Sequence, residues 1–123
     1  MEVLSKKDKI IFIGQAVEYP GTAMFNTLEN VPSHKKLELP VAEEMQMGIT
    51  LGLAMEGNIP ISLFPRWNFL LYSMNQLVNH VDKYELMTGE KLKRNIIIRT
   101  SIGSKRPLNP QHQHIGDFSK EIQ

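Results

Sequence analysis

Pro40-Val41-Ala42-Glu43-Glu44-Met45-Gln46-Met47-Gly48-Ile49-Thr50-Leu51-Gly52-Leu53-Ala54-Met55-Glu56-Gly57 is the stretch that decides the fold. It reads as a loop running into a helix with an acid in its first turn. Pro40 precedes the helix, where a fixed φ does no harm, and Gly57 stands where a C-terminal cap wants a positive φ. Gly48 and Gly52 lie one turn apart, and each costs about 1 kcal/mol against alanine inside a helix. Two such residues on one face imply a close approach by another backbone, with Glu43 at the entrance to that seam. Membrane helices use the same small-residue spacing, but this helix is too short and too polar at its start to span a bilayer.

Apolar runs flank this helix on both sides. Ile10-Ile11-Phe12-Ile13, ended by Gly14, reads as a strand buried on both faces. Lys35 to Leu39 reads as a second short strand and Ile59 to Phe64 as a third, with Pro60 near its start, where it is tolerated. Asn95-Ile96-Ile97-Ile98-Arg99 is a fourth. Between the first two, residues 15–30 form a loop with one or two helical turns around Thr22 to Leu28. Pro65 to Asn68 is a turn, and apolar residues at 70, 71, 74, 77, 78 and 81 predict a helix from Phe69 to Lys83. A polar connection from Tyr84 to Lys93, broken at Gly89, leads to the fourth strand, and the chain is loop-like from Ser101 onward.

Strands alternating with helices imply an α/β fold: a mainly parallel sheet with helices on both faces, in one domain spanning residues 1–123. Ligands of such sheets collect at the carboxyl ends of the strands. The loop carrying Glu43, the turn into Phe69 and the loop carrying His112 all fall at those ends. A net charge of +1 gives no electrostatic ground for binding nucleic acid or an acidic membrane. The absence of cysteine excludes disulfides, thiolate chemistry and cysteine-held metal. The first nine residues lack the apolar core of a secretory signal, so the expectation is a soluble cytoplasmic protein, or a mitochondrial matrix one in a eukaryote.

Each candidate residue also has a plain reading. Glu43 and Glu44 suit the positive end of a helix dipole without any ligand. Trp67 and Phe69 suit a core or its rim, although an aromatic at a loop–helix junction also offers a flat face to a planar ligand. His112 and His114, one residue apart in a loop, make a weak metal pattern without a third ligand. The basic residues between 104 and 109 suit a solvated loop.

Taken together, these segments resemble the pyrimidine-binding domain of thiamine diphosphate enzymes of the transketolase group. Within it they are most similar to the beta subunit of the 2-oxo acid dehydrogenase first component. The resemblance runs from Pro40 to His112 through Glu43, Gly48, Gly52, Gly57, Pro60-Ile61, Phe64, Trp67-Asn68-Phe69, Asn75 to Asn79, Arg99 and Gln111-His112. It implies that Glu43 hydrogen-bonds a ring nitrogen of the cofactor's aminopyrimidine and favours its imino tautomer. It further implies that Phe69 and Tyr72 lie near that ring and that His112 faces the substrate carboxylate. Tyr72 and Gln113 depart from the family's usual residues at their positions.

The family's diphosphate and magnesium are held by a Gly-Asp-Gly motif with a later asparagine. This chain has only Gly116-Asp117-Phe118. The resemblance therefore implies a diphosphate-binding alpha-type partner subunit that holds Mg2+, a homo- and hetero-oligomer, a small 2-oxo acid substrate and no metal ligands in this chain. It also stops before the family's later strands and C-terminal domain, so the chain reads as a partial beta subunit, inactive alone. Alternatives are a two-subunit transketolase, an acetoin-type enzyme of the same group, or a non-catalytic interaction module. A neighbouring reading frame with Gly-Asp-Gly would favour an enzyme.

Overall fold

Ile10-Ile11-Phe12-Ile13 offers no polar side chain to water, and the strand it forms is central to the sheet. The computed structural model describes residues 1–91, 93 and 95–122. After a single helical turn, α1 (Glu2–Ser5), come β1 (Ile10–Gly14), α2 (Ala23–Asn26), β2 (Lys36–Glu38) and α3 (Glu43–Met55). Next are β3 (Ile59–Leu63), α4 (Trp67–Leu70), α5 (Met74–Gln76), α6 (Tyr84–Met87) and β4 (Ile97–Arg99). The four strands make one sheet in the order β2-β1-β3-β4, and every pairing is parallel.

The alternation of side chains along a strand divides the core in two. Ile10, Phe12, Ile61 and Leu63 face one way and pack with Val17, Met24, Leu28 and Val31, with Met1 and Leu4 of the first turn closing over them. Met47, Phe64, Leu70 and Val81 form the other cluster, with Leu51, Trp67 and Ile98 against it. Helices therefore cover both faces, as the sequence implies. Among the described residues no helix is long and apolar enough to cross a membrane.

Pro60 sits inside β3, a central strand, and register explains why. The Ile59 N–H donates to Lys9 O, on the β1 side, at 2.8 Å. Alternation then points the Pro60 nitrogen toward β4, whose pairing with β3 begins only at Ile61. The missing donor has no partner strand opposite it.

The helix expected from Phe69 to Lys83 begins two residues earlier and is irregular. Its hydrogen bonding passes from α (Trp67–Leu70) to a 3-10 turn (Leu71–Ser73), back to α (Met74–Gln76) and then to π (Leu77–Val81). The Trp67 N–H donates to Ser101 O, which fixes the early start, and Ser73 Oγ donates to Leu70 O at 2.8 Å, in competition with the regular ladder. The expected connection from Tyr84 to Lys93 contains α6, which ends before Gly89 at a positive φ; residue 92 of that connection lies outside the described residues. Strands β2 and β4 are each shorter than expected by two residues.

Candidate functional site

Parallel pairing puts all four strand ends on one edge of the sheet. The strand order reverses between β1 and β3, since β1 leads outward to β2 and the chain then crosses back to β3. A crevice at such a reversal is the usual ligand site of this architecture. Gly14 ends β1 there at φ +154°, and a Cβ on it would come within 2.3 Å of Leu63 O. Glycine is what lets β1 end against β3 at this point.

Glu43 is the first residue of α3 and is 9% exposed. Gln15, directly after β1, donates from Nε2 to Glu43 Oε1 at 3.4 Å, a long bond that leaves most of the carboxylate's accepting capacity free. Glu43, Ala42, Glu44, Met45 and Tyr72 line a cavity of about 400 Å3. The acid therefore faces an opening at the helix start, where the dipole favours its charge.

One turn further, Gln46 is fully buried and anchors the helix. Its Nε2 donates to Ser62 Oγ and to Leu63 O, both at 3.0 Å. Thr50 Oγ1 donates to Gln46 O at 2.8 Å and stands 3.0 Å from Ser62 Oγ. One arrangement satisfies all of these: Gln46 donates to Ser62, Ser62 to Thr50, and Thr50 back to the helix carbonyl. These bonds lock the Glu43 end of α3 to the end of β3. On the other side, Glu38 accepts from the N–H groups of Ala16, Val17 and Glu18 at 2.7, 2.7 and 2.9 Å, which holds the loop carrying Gln15 against β2.

A second cavity, of about 380 Å3, is lined by Asn68, Phe69, Leu71, Tyr72, Gln113 and His114. Tyr72, 70% exposed, belongs to both cavities, so the wall beside Glu43 continues into the wall around Phe69. The Phe69 and His114 rings are tilted by 55° with centroids 5.5 Å apart. Asn68 Oδ1 and His114 Nδ1 are buried without hydrogen-bond partners. The His114 backbone is set by Gly103, whose Cβ, if present, would lie 1.8 Å from His114 O.

The edge thus brings Glu43, Phe69 and Tyr72 around two adjoining cavities. His112 lies in the exposed 3-10 turn Gln111–Gln113 and lines neither of them. Gln15, Asn68 and His114 were not singled out by sequence as members of one site. Gln15 follows the first strand by a single residue, a position that topology makes part of the crevice. Among the described residues no group of three or more His, Asp or Glu side chains is placed to hold a metal. Apart from their chain neighbours and the backbone of α3 itself, nothing among the described residues lies within 4 Å of a Cβ built on Gly48 or Gly52, so the close approach expected at these glycines is not made by another described element.

Comparison with known proteins finds the same resemblance. The chain is 29% identical over 114 residues to the pyruvate dehydrogenase E1 component subunit beta of Rickettsia conorii, covering 90% of this chain and 35% of that protein. It is 27% identical over 121 residues to the mitochondrial pyruvate dehydrogenase E1 component subunit beta of Saccharomyces cerevisiae, covering 96% and 32%. With the corresponding protein of Rhizobium meliloti the identity is 25% over 113 residues, covering 90% and 25%. The chain spans about a third or less of the length of these curated relatives. No family model matches it.

Proposed function

We propose that the chain is the pyrimidine-binding part of a thiamine diphosphate-dependent 2-oxo acid dehydrogenase. It works with an alpha-type partner subunit and passes the acyl group to a lipoyl carrier. The observation that carries this reading is the shared wall of the two cavities: a carboxyl at one end, an aromatic ring at the other, Tyr72 between. A planar aminopyrimidine needs both, one at its edge and one against its face.

Glu43 would share a proton between its carboxylate and a ring nitrogen. Gln15 orients the carboxylate through Oε1, and Gln46 prevents the helix end from shifting. Phe69 supplies the flat face, Tyr72 covers the rim, and His112 would meet a substrate carboxylate arriving from solvent. When bound, the cofactor supplies the nucleophilic carbon and the electron sink for decarboxylation.

The residues present fit the pyrimidine end of the cofactor and not its diphosphate. Asp117 is fully exposed, and its carboxylate is held by the Ser119 N–H and hydroxyl, bonds that lower its pKa. That side chain is committed to its own turn. Magnesium and diphosphate are therefore assigned to the partner, and the open Gly48–Gly52 face of α3 suits a partner helix packed backbone to backbone. Compartment follows the host: cytoplasm in a bacterium, matrix in a eukaryote, where the yeast relative is named mitochondrial.

In the assembled complex, Glu43→Gln is expected to lower kcat by about 10²–10⁴, the usual contribution of a proton-transfer group, with an unchanged circular dichroism spectrum. Turnover close to that of the parent complex would remove the role assigned to this carboxyl.

A further inference from the structure

Glu38 carries three hydrogen bonds that belong to neither cavity. Its Oε1 accepts from the Ala16 N–H at 2.7 Å, and its Oε2 accepts from the Val17 and Glu18 N–H groups at 2.7 and 2.9 Å. Three successive backbone donors converging on one carboxylate make a nest, the backbone concavity that binds anions. Ala16 holds φ +54°, a left-handed conformation uncommon for a residue with a Cβ, and the turn it makes brings the three N–H groups together. Val17 is fully buried, so its N–H is cut off from bulk water and depends on this acceptor. A neutral oxygen could cap one of these donors, whereas the carboxylate satisfies all three, and bonds to an ionised acceptor are the stronger kind. None of these four residues lines the Glu43 cavity or the Phe69 cavity.

The nest joins the two chain segments that meet at Glu43. Gln15, whose Nε2 donates to Glu43 Oε1 at 3.4 Å, directly precedes it. Glu38 ends β2, and Leu39 to Ala42 lead from there into the helix that Glu43 begins. Gly14 pairs in register with Glu38, and the Leu39 N–H donates to Gly14 O at 2.9 Å. Both partners of the long Gln15–Glu43 bond are therefore carried by segments clamped at one carboxylate. We infer that residues 16–18 form an anion site for a carboxylate, filled by Glu38, and that Glu38 is thereby a positioning residue for Glu43. The positioning role, unlike the nest itself, rests on the proposed function. Without the charge, three donors face an empty nest, the loop relaxes and the Gln15 amide drifts from the Glu43 carboxylate, while the aromatic wall stays in place. Acetate presents the same two oxygens and refills the nest in a variant that lacks the side chain.

Acetate titrated into the isotope-labelled full chain, followed by NMR, tests the nest. In Glu38→Ala the amide resonances of Ala16, Val17 and Glu18 are expected to leave their parent positions and to return saturably as acetate rises. Sodium chloride at equal ionic strength is expected to give no such return, and the parent, its nest filled, no response to acetate. In the assembled complex, Glu38→Gln is expected to lower kcat about tenfold while the half-saturating thiamine diphosphate concentration stays within about twofold, a split that loss of stability alone does not produce. Acetate is expected to restore kcat in Glu38→Ala over the range that restores the amide resonances, and to leave Gln15→Ala, whose nest is intact, unchanged. Glu38→Gln keeps the side-chain shape and serves if Glu38→Ala does not fold: its three amide resonances are expected to move as on loss of a charged acceptor. Resonances that stay at their parent positions in Glu38→Gln, or that ignore acetate in Glu38→Ala, overturn the nest. Parental kcat in Glu38→Gln overturns the positioning role. Full turnover in Glu43→Gln bears on the proposed function and leaves the amide response standing, so the failures are separable.

Discussion

Glu43 and Phe69 do different work, and a single substitution at each separates them. On the proposed function the acid manages a proton, whereas the ring holds a planar ligand by contact. Phe69 is half-buried, with its ring against His114, so truncating it removes a wall of the cavity and little of the core. Phe69→Ala in the assembled complex is expected to raise the half-saturating concentration of thiamine diphosphate about tenfold, from the loss of roughly 1–2 kcal/mol of stacking and burial, while Tm falls only slightly. Activity titrated with cofactor checks this; an unchanged half-saturation would refute stacking. Glu43 could be singled out from sequence because an acid, a helix start and two spaced glycines lie within ten residues. His114 could not be placed that way. Its position depends on Gly103, eleven residues back, and a backbone contact between two loops leaves no periodic trace.

Strand β1 was legible for a simple reason: a continuous apolar, mostly β-branched run has nowhere to go but between two covered faces. Strand lengths were less so, because β2 and β4 are edges and pair on one side only. The segment after β3 was read as one regular helix from apolar spacing alone. Spacing does not register a serine that bonds back to the preceding turn, nor a start fixed by Ser101. The buried ring of Gln46, Ser62 and Thr50 was equally invisible, because it pairs two elements across a face the pattern marks as apolar. Gly14 carries the tightest demand among these elements. Gly14→Ala forces a Cβ onto Leu63 O at a φ unfavourable for any other residue, and is expected to cost about 1–3 kcal/mol or more. Urea unfolding measures this; a midpoint matching the parent would mean that β1 and β3 can part at no cost.

At the scale of the whole molecule, a four-strand parallel sheet with its order reversing between β1 and β3 explains why distant residues meet. Gln15, Glu43, Phe69 and His114 follow four different strands and reach one edge. That edge presents a carboxyl, an aromatic wall and two unpaired polar atoms, and no cradle for a diphosphate among the described residues. On the proposed function, a second polypeptide supplies the other half of this site. The most direct measurement is a structure of the chain assembled with its partner and thiamine diphosphate. A Glu43 carboxylate oxygen is expected at about 2.6–3.2 Å from a pyrimidine ring nitrogen, with the ring's face on Phe69. A pyrimidine bound away from this edge, or a Glu43 carboxyl turned from it, would contradict the assignment.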